Sequence, residues 1–277
     1  MSNEITEVAP GIFSFAHRVA DGKNAIILGE RGAVAVDVCM HSDEGQAMAD
    51  FIRSKGFQPN RVILTHGHSD HVLGGAAFRG AEVFASTRTP AVMAAQLRDF
   101  ATRHGESPDV LLAQALHPTV MFSQELYIDH GGKHLHLFPT PGHSEDCISI
   151  YIPENCVMIA SDTVVTGIIP AIFYDSSTLE NSLRLLQTFD IEILIPGHGE
   201  VIHGALQIRD WLAWIQGYIR GVREAVQAHP DLEESELVEQ ISYETFVGSR
   251  LPEDRHNMRQ RHRTTVLKII QEERTTC

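Results

Sequence analysis

The chain has 277 residues, 43% hydrophobic and 21% charged, the balance of a soluble globular protein, and no apolar run approaches the roughly 18–20 residues that span a bilayer. Its formal charge of −14 at pH 7 repels a phosphate backbone, so neither membrane nor nucleic acid is an expected partner. The opening MSNEITEVAPGIF has no basic start and no apolar h-region, so a cytoplasmic location is expected.

In chain order, GIFSFAH, NAIILGE and GAVAVDV are short apolar or alternating runs separated by turn residues, and they predict three successive strands. SDEGQAMADFIRSKG opens on a capping residue, ends at glycine and puts Ala47, Phe51 and Ile52 on one face, which predicts a helix. RVILT reads as a buried strand, DHVLGGAAF as a short helix and AEVFAS as a strand. Residues 88–118 then lose the strand pattern and turn helical, broken at Pro108 and Pro118, and are an insertion candidate. LYIDHGG, KHLHLFPTPGH, CISIYIP and CVMIASD return to strands; the helix STLENSLRLLQTF leads to a last strand, IEILIPGHG, and residues 204–274 are almost wholly helical. With no repeat and no linker, residues 1–205 are expected to form a catalytic domain and 206–277 a helical extension packed on it.

Cys39, Cys147, Cys156 and Cys277 form no CxxC pair and are expected to be reduced. The most basic stretch, DRHNMRQRHR, sits among acids in a predicted helix and reads as a solvated face. Of the sixteen histidines most must be ordinary; His17, His104, His117, His130, His229 and His256 carry no nearby signal, while His134 and His136 fit one half-solvated strand face.

RVILTHGHSDHVLGG is different, because His66, His68, Asp70 and His71 crowd the point where a buried strand gives way to a helix. His66 and His68, two apart, converge from an extended segment, and Asp70 and His71 fall at the turn into the helix. Imidazole and carboxylate suit zinc, and a catalytic zinc takes about three protein ligands and a water. Four residues cannot fill two such positions, and three other predicted strands end in a suitable group: His143 in TPGHS, Asp162 in MIASDT and His198 in LIPGHG. Ligands at strand ends sit on rigid elements, and the flanking glycines let the backbone come close.

HxHxDH at 66–71, followed by His143, Asp162 and His198, resembles the metallo-β-lactamase superfamily, and the likeness runs over about residues 5–205. It implies an α/β fold, a four-layer αββα sandwich with metals between the edges of two sheets. By position, the resemblance assigns His66, His68 and His143 to a first metal, Asp70, His71 and His198 to a second, and Asp162 to both; Asp37 would support the metal loop. Where the superfamily often has Asp-Thr-Gly, this chain reads Asp37-Val38-Cys39. Cys39 is then a buried thiol or a pocket residue, the former favoured.

Two zinc ions, with iron or manganese as alternatives, would supply hydroxide at neutral pH and polarise a carbonyl, and Asp70 and Asp162 would orient that hydroxide and shuttle its proton. The expected activity is hydrolysis of a small-molecule ester, thioester or lactone, in the manner of glyoxalase II-like enzymes and lactonases. Some lactonases carry a tyrosine where this chain has Val165, and no basic cluster reads as a glutathione clamp. The alternatives are a mononuclear iron persulfide dioxygenase, a β-lactam hydrolase and a non-catalytic binding module. Residues 88–118 and TGIIPAIFYD, with Ile168, Ile169, Ile172, Phe173 and Tyr174, either wall an apolar acyl site or pack against the C-terminal helices or a second copy of the chain.

Overall fold

Period-two alternation decides which side of a sheet each strand residue covers. In Gly22–Gly29 (β3), Ala25 and Ile27 enter one apolar cluster and Ile26 another; in Val157–Ser161 (β11), Val157 and Ile159 separate in the same way from Met158 and Ala160. Strands apolar on both faces need a cover on both, and the computed structural model, which describes residues 4–251 and 256–276, supplies it in four layers.

The first sheet runs Ile5–Ala9 (β1), Ile12–His17 (β2), β3, Gly32–Val36 (β4), Arg61–Ile63 (β5), Glu82–Ser86 (β6) and Val120–Phe122 (β7), in sequence order. Its first four strands pair antiparallel and its last four parallel. The parallel steps require crossovers. Ser42–Ser54 (α1) leads to β5, Ser69–Val72 (α2) to β6, and Thr89–His104 (α3) with Pro108–Gln114 (α4) to β7. The second sheet has the order β13-β12-β11-β10-β9-β8, built from Leu126–Asp129 (β8), His134–Pro139 (β9), Ile148–Ile152 (β10), β11, Ile193–Pro196 (β12) and Ile202–His203 (β13). Ser176–Leu186 (α5) makes its one parallel connection, from β11 to β12.

The sheets face each other through Ile27, Val34, Ile63, Leu137, Ile150, Ile159 and Ile195. The outer face of the first sheet is covered by α1, α3 and α4, whose Met48, Ile52, Met93, Leu97 and Leu111 share one cluster with Ile26 and Val62. The predicted helical stretch 88–118 therefore closes this layer through α3 and α4. On the second sheet, α5 is joined by Ala205–Ala228 (α6), Glu234–Gln240 (α7), Tyr243–Phe246 (α8) and Met258–Thr276 (α9), which share a cluster with Met158 and Ala160. Among the described residues no helix is long and apolar enough to cross a membrane.

Three strands lie outside the sequence reading: β1, β7 and the two-residue β13. β1 has the pattern ITEVA, an edge strand whose Thr6 and Glu7 are exposed, and β7 is a three-residue edge strand, so neither buries enough of itself to announce a period. Cys39 and Cys147 are buried free thiols and Cys156 is partly exposed and free; Cys277 lies outside the described residues, as do Asp254 and Arg255 of the basic stretch. Cys39 belongs to the core of the first layer, where Asn24 Nδ2 donates to its sulfur at 3.1 Å. His134 and His136 share a strand face and meet Glu154 (2.5 Å) and Glu125 (3.0 Å).

Candidate metal centre

β4 and β5 end side by side, and the chain past β4 enters a left-handed turn at Asp37 (φ 60°). Asp37 is buried and accepts three hydrogen bonds: from the Thr65 amide at 2.7 Å, the Thr65 hydroxyl at 2.7 Å and His71 Nδ1 at 2.8 Å. The last ties the Nδ1 proton of His71 to Asp37, which leaves Nε2 as the atom turned to the site. With its proton given to Asp37, Thr65 Oγ1 accepts from His66 Nδ1 (3.1 Å) and Ser161 Oγ (2.7 Å), which orients the His66 ring in the same sense. His66 and His68 alternate on the extended stretch after β5, and α2 then carries Asp70 and His71.

The second sheet supplies the remaining groups from beyond the ends of β9, β11 and β12. His143 is held by Nδ1 on the Ala171 carbonyl (2.8 Å), with Nε2 at 2.9 Å from His68 Nδ1. His198 Nδ1 donates to the Val19 and Ala20 carbonyls, both at 3.2 Å. Asp162 lies between the two sets: Oδ2 is 3.2 Å from His143 Nε2, 3.5 Å from His198 Nε2 and 3.9 Å from His66 Nε2, while Oδ1 is 3.4 Å from His71 Nε2. A Cβ on Gly197 would stand 1.9 Å from Asp162 Oδ1, so this close approach requires glycine there.

The seven residues thus gather in two groups that could hold a metal ion, His66, His68, His143 and Asp162, and Asp70, His71 and His198, with the donor atoms of each within 4.8 Å of one another. Nε2 of His66, His68 and His71 and Oδ1 of Asp162 are buried without a hydrogen-bond partner. Buried polar atoms are normally satisfied, and imidazole nitrogens and carboxylate oxygens converging in this way match the donor set of a divalent cation.

Electrostatics separate the two sets. Burial, reinforced by neighbouring imidazoles, takes His68 to about 3 and holds His66 and His143 below the ordinary histidine value, so the three imidazoles of this set are neutral. Burial also opposes charge on His71 and His198, but Asp70, Asp37 and Asp162 raise His71, and Asp162 and Asp70 raise His198 to about 10. Against their own burial, Asp70 is held well below the usual carboxylate range chiefly by His71, and Asp162 chiefly by His198.

A cleft of about 720 Å³ opens over both sets. Its floor includes His68, Asp70, His143, Asp162 and His198; α3 contributes Gln96, Phe100 and Arg103, and α9 contributes Gln260, Arg261 and Thr264. Phe173 lines it with its ring 5.3 Å from those of His68 and His143. The neighbouring expectations divide. Ile168, Ile169 and Ile172 are buried with the C-terminal helices, so of the apolar alternatives helix packing holds for them, and Tyr174 is half exposed away from the cleft wall. The basic stretch is not a purely solvated face: His256, Asn257, Gln260 and Arg261 line the cleft, because α9 folds back across the loops that carry the histidine and aspartate cluster. Sequence reasoning also passed over His17 and His256. His256 Nε2 meets Asp21 at 2.8 Å beside the loop that holds His198. His17 is buried against His71 and His198, and burial, then repulsion from His71, takes it to about 3. Its placement at the end of β2 was the one available signal.

Two facing sheets, helical outer layers and a histidine–aspartate cluster at one edge define a class of metal-binding αββα proteins. Residues 19–198 match the Metallo-beta-lactamase superfamily, and the chain belongs to it. A linear primary-alkylsulfatase from Pseudomonas sp. (strain ATCC 19151) is 21% identical over 263 residues, covering 80% of this chain and 50% of that protein. The chain therefore spans about half the length of this relative. The hydroxyacylglutathione hydrolase GloC of Haemophilus influenzae is 30% identical over 192 residues, 65% of this chain and 82% of that protein. A metallo-beta-lactamase family protein from Thermus thermophilus superposes with a TM-score of 0.70 at 18% identity, covering 98% of this chain and 95% of that one, which shows the shared fold.

Proposed function

We propose that the chain is a hydrolase that holds two divalent ions, zinc by the chemistry of its donors, and cleaves a small-molecule ester, thioester or lactone. The observation that carries the reading is the convergence of seven donor residues whose inward atoms include buried nitrogens and a carboxylate oxygen without partners. When bound, the ions would lower the pKa of water toward neutrality and polarise the scissile carbonyl.

The chain's own contribution is positional. Asp162 reaches donors of both sets and would be shared between the ions, while Asp70, 3.4 Å from His198 Nε2, would belong to the second. Both carboxylates stand at the cleft floor, ionised, and can hold and move the proton of an attacking water. Asp37 and Thr65 keep the imidazoles of the first loop in the ligating tautomer. Above them Phe173 and Phe100 offer apolar surface and Arg261, Gln260 and Gln96 polar contacts, a mixed wall suited to a substrate with an acyl part and a polar part. Residues 1–205 would carry the chemistry, and 206–277 would complete the cleft through α9. GloC, a relative named for a hydroxyacylglutathione, supports the thioester branch of this reading.

The test is metal analysis of purified protein beside a panel of ester, thioester, lactone, alkyl sulfate and β-lactam substrates, before and after chelation. Two zinc ions per chain and hydrolysis that is lost with the metal and restored by it are expected. One iron per chain with oxygen uptake on a persulfide, turnover of β-lactams alone, or a metal-free protein without activity would each overturn it.

A further inference from the structure

His17 is 4% exposed, and among the described residues neither of its ring nitrogens has a hydrogen-bond partner. Its ring centroid lies 6.4 Å from that of His71 and 6.0 Å from that of His198, while those two are 6.1 Å apart, so the three imidazoles form a nearly equilateral triangle. His71 and His198 each spend Nδ1 on a partner behind the site, Asp37 for one and the Val19 and Ala20 carbonyls for the other. His17 has no such backing partner.

The ring is placed by its surroundings. A Cβ on Gly22 would fall 1.9 Å from His17 Cε1 and 2.0 Å from Nε2, so the imidazole occupies the space a side chain at 22 would need. Gly22 is absent from the glycines of positive φ, and its backbone conformation does not demand glycine; the histidine ring does. Gly22, the partner of His17 in the β2–β3 pair, also bridges His198 across the strand ends, and Lys23 N donates to the Gly197 carbonyl at 2.8 Å, so the strand paired with the ring-bearing one is laced to the segment bearing His198. The outcome is a preoriented, unsatisfied imidazole beside the Asp70, His71 and His198 set, near enough for one water to join them.

We propose that His17 is a further positioning residue of the second metal position, joined through one water to the ion held by Asp70, His71 and His198. This rests on the reading of that cluster as a metal site. A purely structural His17 acts through the bulk of its ring, which Leu supplies as well as Gln, so only a role through its nitrogens makes Gln restore what Leu loses.

The experiment titrates zinc into metal-free protein against a chromophoric chelator, resolving the affinities of both positions, with thermal unfolding recorded alongside. His17→Leu keeps the bulk and removes the nitrogens; it is expected to weaken the second position by about 10- to 100-fold and leave the first within about twofold. His17→Gln, which can still hydrogen-bond a water, should recover most of that loss. Gly22→Ala, which displaces the ring while keeping histidine, should weaken the same position. Unchanged second-position affinity in His17→Leu, or equal weakening of both positions, overturns the proposal. If His17→Leu does not fold, an unchanged second position in Gly22→Ala overturns it alone. A wild-type chain that takes up no second ion defeats the metal-site reading itself, and that outcome is seen before any variant is made.

Discussion

Replacing Asp37 by Asn tests the support behind the metal loop more cleanly than deletion does. Asp37 sits at φ 60°, a conformation that Asn tolerates nearly as well as Asp and that Ala adopts with strain, so the backbone is spared. What changes is the hydrogen bonding. The carboxylate accepts from the Thr65 amide, the Thr65 hydroxyl and His71 Nδ1 at 2.7, 2.7 and 2.8 Å. An amide oxygen can keep the Thr65 amide, but the NH2 then faces Thr65 Oγ1 and His71 Nδ1 and must donate. Donation to His71 Nδ1 drives its proton to Nε2, the atom aimed at Asp162 and the second donor set. Loss of a hydrogen bond to a charged group is worth about 1.5–3 kcal/mol. That corresponds to roughly 10- to 100-fold in affinity, the range found when a group behind a ligating histidine is changed. Asp37→Asn should therefore weaken the second ion by that factor in a competitive chelator titration and lower the Tm of the metal-free protein by several degrees. A second-ion affinity within about threefold of wild type would refute the tautomer argument.

Asp162→Asn removes the group that reaches both donor sets; metal content after dialysis should fall from about two toward one per chain, with a large loss of kcat and near-native folding, and plasma mass spectrometry finding both ions retained at full rate would contradict this. In the metal-free protein His198 is lifted from 6.5 to about 10, so it carries its second proton at pH 7, and the neighbouring carboxylates raise His71 in the same direction; filling the second position should release at least about one proton and tighten as pH rises, and calorimetry in buffers of different ionisation enthalpy would expose a null value. The same shift fixes a stability sign: the part that His198 contributes to metal-free folding is complete below 6.5 and lost as pH rises through about 10, so melting temperatures that climb over that interval would count against the ion cluster. Phe173→Ala should raise KM severalfold for long acyl chains and little for acetyl substrates, because the ring stands over His68 and His143 at the cleft wall; equal KM values across chain lengths would remove Phe173 from substrate binding.

How much of this was legible in the chain itself follows from range. The HxHxDH spacing lies within six residues, and local geometry alone turns an extended His66 and His68 into a short helix bearing Asp70 and His71. His143, Asp162 and His198 each follow an apolar run, so their place beyond a strand end was readable, while the four layers entered only as what the family resemblance implies. Edge strands β1, β7 and β13 were not, since a strand with one neighbour and an exposed face carries little hydrophobic period. Nor were the long-range placements. His17 stands more than fifty residues before the nearest donor with which its ring packs, and only the pairing of β2 with β3 and the bridge from Gly22 to His198 bring it there. Arg261 reads as a solvated helical arginine until α9 lies across the cleft. Periodicity and spacing report on what a residue does for its own element; which elements meet is decided by how the buried faces of the whole chain fit together, and that fit exists only once the sheets and helices have packed.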